Sequence, residues 1–310
     1  MKVSAGSDIT PAQAAPLRWS ARRPARAALI YVIAYLLLSA GGGELSKLSL
    51  RTIPLAAGTL LVATGILVLS LLLLLSLCRL EMRPGLEAAW VIGMMVVFAL
   101  ARPEVFAITG RWLGQPARGR QITELLLVSP KQQLFGNIAL IVWAAFLGRL
   151  VSRVIREGKL LLPVAVVASI ADIITVFWGV VAHLTSKAPE LVEALSAQAP
   201  VAAPAALPLP ILTSVGIGDF LFLAIFLAVA LRHQMNAVKA MWATLVLVLI
   251  APVTFLIWPR APGMPGLPFI SIGVLSANWR HLRFTREEKR ALLFASVLVA
   301  VVIAWLVLRH

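Results

Sequence analysis

LLLPVAVVASIADIITVFWGVVAHL, residues 160–184, decides the fold class. The run is apolar from end to end and does not alternate polar with apolar positions. It exceeds the roughly 20 residues that a helix needs to cross a bilayer. A strand of a membrane barrel would alternate, which argues against a β-barrel. The run therefore reads as a membrane-spanning helix, and it carries one acid, Asp172.

Similar runs recur on both sides. Spans are expected at about 26–42, 53–78, 86–109, 133–151, 211–231, 238–258 and 288–308. A shorter apolar piece, 264–279, follows Pro262. The expected fold is an all-α polytopic membrane bundle of eight or nine transmembrane helices. Its parts are a polar tail (1–25), a first group of membrane helices (26–158), a membrane core (159–280), and a basic segment with one extra helix (281–310). Residues 110–132 are basic, and 122–128 read as an interfacial helix. Residues 186–210 are rich in Ala and Pro, ending in APVAAPAALPLP, the composition of an extended linker without a fixed fold.

Composition agrees with this organisation. The 310 residues are 60% hydrophobic and only 13% charged. An ordinary soluble domain carries about 25% charged residues. A soluble globular enzyme and a disordered tail are thereby excluded. A single cysteine, Cys78, excludes a disulfide scaffold. Lys+Arg number 28 against 13 Asp+Glu, a net charge of +15. The bases cluster between apolar runs, so they read as topology signals, and no nucleic-acid partner is expected. With the N-terminus inside, Arg18, Arg22, Arg79, Arg83, Arg149, Arg153, Arg232 and Lys239 all fall inside. The 186–210 linker has one base, Lys187, against Glu190 and Glu193, and falls outside. No small-residue cleavage site clearly follows the first run, which reads as a retained helix and not a signal peptide. Short connections and an excess of Arg over Lys point to a prokaryotic inner membrane, with the N-terminus cytoplasmic.

The acids carry more information than the bases. Only three Asp occur: Asp8 in the tail, and Asp172 and Asp219 inside apolar runs. An ionisable group at membrane depth is expensive and marks function by default. At helical spacing Asp172 shares its face with Ala165, Ala168, Ser169, Thr175, Val176 and Gly179. Small side chains there let another helix approach closely. Asp219 follows Gly216 and Gly218. Each Gly costs about 1 kcal/mol in a helix interior relative to Ala. Two of them beside an acid indicate a backbone that approaches something closely or leaves the helix.

Two carboxylates that meet in a low-dielectric site share a proton. One then deprotonates a water while its protonated partner polarises a carbonyl. That is the chemistry of aspartic peptidases. A third segment, MPGLPFISIG at 264–273, places Pro265 and Pro268 at membrane depth. Irregular backbone there is tolerated only inside protein or beside a water-filled cavity. Such a segment is expected to offer backbone groups to a substrate strand.

In this order, Asp172 in IADIITVFWG, Gly216-Ile217-Gly218-Asp219 with Phe220 following, and Pro265-Gly266-Leu267-Pro268 resemble the presenilin and signal peptide peptidase family of intramembrane aspartyl proteases. The resemblance covers about residues 160–275. It implies a presenilin-like bundle with Asp172 and Asp219 as the catalytic pair. It implies that Gly216 and Gly218 shape the second site, and that Pro265, Gly266, Leu267 and Pro268 position substrate. The implied substrate is a transmembrane helix or signal peptide within the lipid bilayer, cleaved without metal or organic cofactor. Ala171 stands where the family usually has Tyr, and Gly266 where it has Ala. Prepilin peptidases share Gly-x-Gly-Asp but usually have Lys soon after it, where this chain has Phe220-Leu221-Phe222.

Two other classes use paired membrane carboxylates. One is a carboxylate-dependent proton-coupled transporter; the other is a non-catalytic membrane scaffold of the same fold. No His-Glu-x-x-His run is present for a zinc protease. Arg102 and Glu104, flanking Pro103, read as a local ion pair, and His183 as a headgroup contact.

Overall fold

The computed structural model describes residues 22–45, 52–102, 105, 110, 130–177, 196–198, 214–250, 264–282, 284–287 and 290. Of these, 86% are helical. The described helices are α1 (Arg22–Leu45), α2 (Thr52–Cys78), α3 (Pro84–Ala101), α4 (Pro130–Ser152), α5 (Leu161–Phe177), α6 (Ile217–Arg232), α7 (Ala237–Ile250) and α8 (Leu267–Asn278). Each of α1 to α4, and α5 together with the 3-10 turn Gly158–Leu160 that leads into it, contains a segment long and apolar enough to cross a membrane. Their outer faces agree with that. On α3, Leu86, Ile92, Met95, Val96 and Leu100 are exposed, as are Leu29, Ile33 and Leu37 on α1. Apolar faces of this extent are rare on soluble monomers and suit contact with lipid. The chain thus has the character of a helical membrane protein.

The eight or nine expected spans are not all reproduced. Helices α6, α7 and α8 have 16, 14 and 12 described residues. At 1.5 Å per residue α8 reaches about 18 Å, short of a hydrocarbon core of about 30 Å. Within the expected 211–231 span, strand β2, Ser214–Gly216, precedes α6, which begins at Ile217. The partner of β2 is β1, Ser196–Gln198, antiparallel, with Ser196 opposite Gly216. The chain is the expected helical membrane bundle, with this small sheet added to it. Within the 186–210 connection, residues 196–198 form a strand, and the rest of it lies outside the described residues. The reason for the sheet is physical. Backbone that leaves the helix at membrane depth must find its hydrogen bonds elsewhere, and a ladder supplies them. The extra helix at 288–308, apart from residue 290, and the interfacial helix at 122–128 lie outside the described residues.

Helix α4 lies at the centre and packs on α3, α6 and α2, while α1 packs on α2. Helices α7 and α8 form a pair, and α8 also packs on α5. Every side chain from Leu223 to Ala230 of α6 is buried. A helix apolar and covered on all sides belongs at the core. The α4–α6 crossing depends on Gly148, where a Cβ would lie 2.6 Å from Ala224 Cβ and 2.8 Å from the Ile225 nitrogen. Because backbone stands in the way, Gly148→Val is expected to destabilise the bundle by about 1–3 kcal/mol. Thermal unfolding of purified protein in detergent measures this, and an unchanged midpoint would contradict so close a crossing.

Candidate active site

Helix α5 buries Ala165, Ala168 and Val176 and exposes Val166 and Val167. The side of α5 that carries Asp172 therefore meets the bundle. The partner is α8. Ser169 Oγ donates to the Ala165 carbonyl at 2.7 Å and lies 2.9 Å from Ser271 Oγ. Ser271, buried on α8, donates to the same carbonyl at 3.2 Å. This hydroxyl pair locks the α5–α8 seam about one turn from Asp172. Ser271 escaped the sequence reading, because nothing in its local pattern distinguishes it from an ordinary small helix residue.

The lock places the start of α8 against the acid. The Leu267 N–H donates to Asp172 Oδ2 at 3.0 Å, and the Gly266 backbone also hydrogen-bonds this carboxyl. Gly266 is the N-cap of α8, and Pro268 lies in its first turn. Proline is tolerated there because a first-turn N–H has no partner within the helix. The Leu267 N–H is one of those orphan donors. Asp172 satisfies it from another helix. Leu267 is itself buried, and Pro265 precedes α8 in non-helical backbone. The expected irregular segment is thus short, and Leu267 and Pro268 belong to a helix start.

Asp219 is held by its own helix. Gly216 is the N-cap of α6, with extended backbone (φ −64°, ψ 149°), and Asp219 is the third helical residue. An acid at that position reaches back to the N-cap, as in half of a capping box. The Asp219 carboxyl makes this contact with the Gly216 backbone. Gly218 is exposed, and a Cβ there would meet nothing within 4 Å. Its lack of a side chain leaves open space on the turn that carries the acid.

The two carboxyls converge on one peptide. A Cβ on Gly266 would lie 2.6 Å from Asp219 Oδ1, while the next N–H binds Asp172. The carboxyls are close enough to interact through their charge. Both are half-buried. Their depth also matches. The ends of α2, α4, α6 and α8 share one face with the starts of α3, α5 and α7, and the Asn236 N–H donates to Asn278 Oδ1 at 2.8 Å there. Asp172 lies about 16 Å along α5 from that face, and Asp219 about 20 Å along α6.

The sheet completes the surroundings. Strand β2 runs directly into α6 and packs against it, while β1 rests on α4. Buried Arg102, at the end of α3, donates to Asn137 Oδ1 at 2.7 Å and to the Ser196 carbonyl at 3.3 Å. Arg102 therefore anchors β1 from the bundle. Glu104, its expected ion-pair partner, lies outside the described residues, as does His183. Among the described residues no group of three His, Cys, Asp or Glu is placed to hold a metal ion. Compared with known proteins, the chain matches no family model, no curated protein and no solved structure.

Proposed function

We propose that this chain is an intramembrane aspartyl protease of the presenilin and signal peptide peptidase kind, hydrolysing peptide bonds of transmembrane segments or signal peptides. The observation that carries this reading is the convergence of Asp172 and Asp219, at matched depth, on the Gly266–Leu267 peptide. Among the described residues β2 has one strand partner, β1, which leaves its other edge unpaired there, and its C-terminal end runs into the first turn of α6, which carries Asp219. An unwound substrate strand added along that edge would bring a peptide bond past the dyad.

The chemistry needs only the two acids and water. The ionised carboxylate takes a proton from water as the water oxygen adds to the scissile carbonyl carbon. The protonated partner gives its proton to the carbonyl oxygen, forming a gem-diol. A proton then passes to the amide nitrogen, the C–N bond breaks, and a carboxyl and an amine leave. The Leu267 N–H and the Gly216 backbone orient the acids, so geometry is set before substrate arrives.

Purified protein in liposomes, given helical membrane peptides in ¹⁸O-water, is expected to release fragments with one heavy oxygen in the new C-terminal carboxyl. A hydroxyl-bearing transition-state analogue of aspartic proteases should block release. Asp172-dependent proton flux without cleavage would replace this reading with the transporter.

A further inference from the structure

A second concave site lies at the face where α2, α4 and α6 end. It is a cavity of about 910 Å³, in the range of ligand-binding cavities. Five arginines line it, Arg79, Arg83, Arg149, Arg153 and Arg232, against one acid, Glu81. Behind its wall, fully buried Glu87 accepts from Arg149 and Arg153, the latter at 2.7 Å. Counting Glu87, five positive charges face two negative ones.

The arginines differ in what holds them. Arg149 is a fixed wall: besides Glu87 it donates to the Leu77 carbonyl at 2.8 Å and the Cys78 carbonyl at 3.4 Å. Arg153 keeps a side chain 39% exposed, Arg83 is exposed, and exposed Arg232 makes one contact of 3.3 Å to the Ser152 carbonyl. Guanidinium forks suit the oxygens of a phosphate. Beside them the lining turns apolar, with Leu80, Met82, Ala228 and Leu231. A free phosphate has no use for that half, whereas a lipid glycerol and upper acyl chain do. Basic pockets between membrane helices bind anionic headgroups on the cytoplasmic side, and the positive-inside rule assigns this face to that side.

We infer that this cavity is a binding site for the phosphate headgroup of an anionic phospholipid. It is separate from the carboxyl pair, so the inference does not depend on protease activity.

The test uses the full chain in neutral detergent, titrated with phosphatidylglycerol, phosphatidylcholine or inorganic phosphate. Melting temperature and native mass spectrometry give the readouts. Phosphatidylglycerol is expected to raise the melting temperature and leave a lipid adduct, with phosphatidylcholine doing neither. Arg83→Gln with Arg232→Gln should weaken that binding about thirtyfold, the scale of two interfacial basic residues. Arg83→Glu alone, at an exposed position, serves if the double variant does not fold. Inorganic phosphate binding as tightly, with the same arginine dependence, would overturn the lipid assignment in favour of a free anion. So would equal binding of both lipids, or phosphatidylglycerol binding that ignores the substitutions.

Discussion

Asp172→Asn and Asp219→Asn variants are expected to fold as the parent does and to lose cleavage of a helical membrane substrate by about 10²–10⁴-fold each. The expectation follows from the two roles each acid has. Asp172 caps the first turn of α8 from a neighbouring helix, and Asp219 reaches back to the start of α6. Both are acceptor roles, and asparagine fills a helix cap about as well as aspartate. An amide oxygen can still receive the Leu267 N–H. An amide cannot accept a proton from water or return one to a leaving nitrogen. Alanine removes both roles at once, and its lost cap costs about 0.5–2 kcal/mol. Comparing the Asn and Ala series by melting temperature and by cleavage thus separates structure from chemistry. Full cleavage by both Asn variants would remove the proposed mechanism and leave two helix caps, as a scaffold would have.

How much of this was readable in advance depends on whether the information is periodic or non-local. The spans of α1 to α5 follow from runs of apolar residues. The inward face of Asp172 follows from Ala165 and Ala168 at helical spacing, both buried. Gly216 beside an acid announced a departure from helix, and the strand at Ser214–Gly216 is that departure. The partner strand was not legible. Ser196–Gln198 is three residues inside an Ala- and Pro-rich connection, and its pairing is fixed by residues about twenty positions away. Ser271 was equally silent, since its hydroxyl matters only when α8 lies against Ala165. The buried Glu87 with Arg149 and Arg153 joins residues more than sixty positions apart, and no local pattern encodes it. The PGLP segment reads as irregular backbone; that it begins a helix whose free N–H reaches Asp172 was not legible, because the acceptor lies on another helix.

The same helix start yields the second large effect, at Gly266. The resembling family carries alanine there. In this chain an added Cβ would lie 2.6 Å from Asp219 Oδ1, 2.9 Å from its Cγ and 3.0 Å from its Oδ2. No real methyl sits that close, so one partner must move. Either the Asp219 carboxyl rotates off its Gly216 contact, or the α8 start withdraws and lengthens the Leu267–Asp172 bond. Both outcomes shift one carboxyl relative to the other, and a displacement of about 1 Å can cost 10²-fold in rate. Gly266→Ala is therefore expected to lower kcat about a hundredfold. Its KM should change much less if substrate adds along β2 as proposed, because that strand is untouched. The melting temperature should also hold, since a single carboxyl rotation relieves the contact. Gly218→Ala is the matched control. Its Cβ would meet open space, and alanine in the first turn of α6 should stabilise the helix by up to about 1 kcal/mol. Its kcat should fall far less than that of Gly266→Ala. Should Gly266→Ala cleave at the parental rate, the carboxyl of Asp219 does not work from the position that this backbone gives it, and the dyad must close further before reaction.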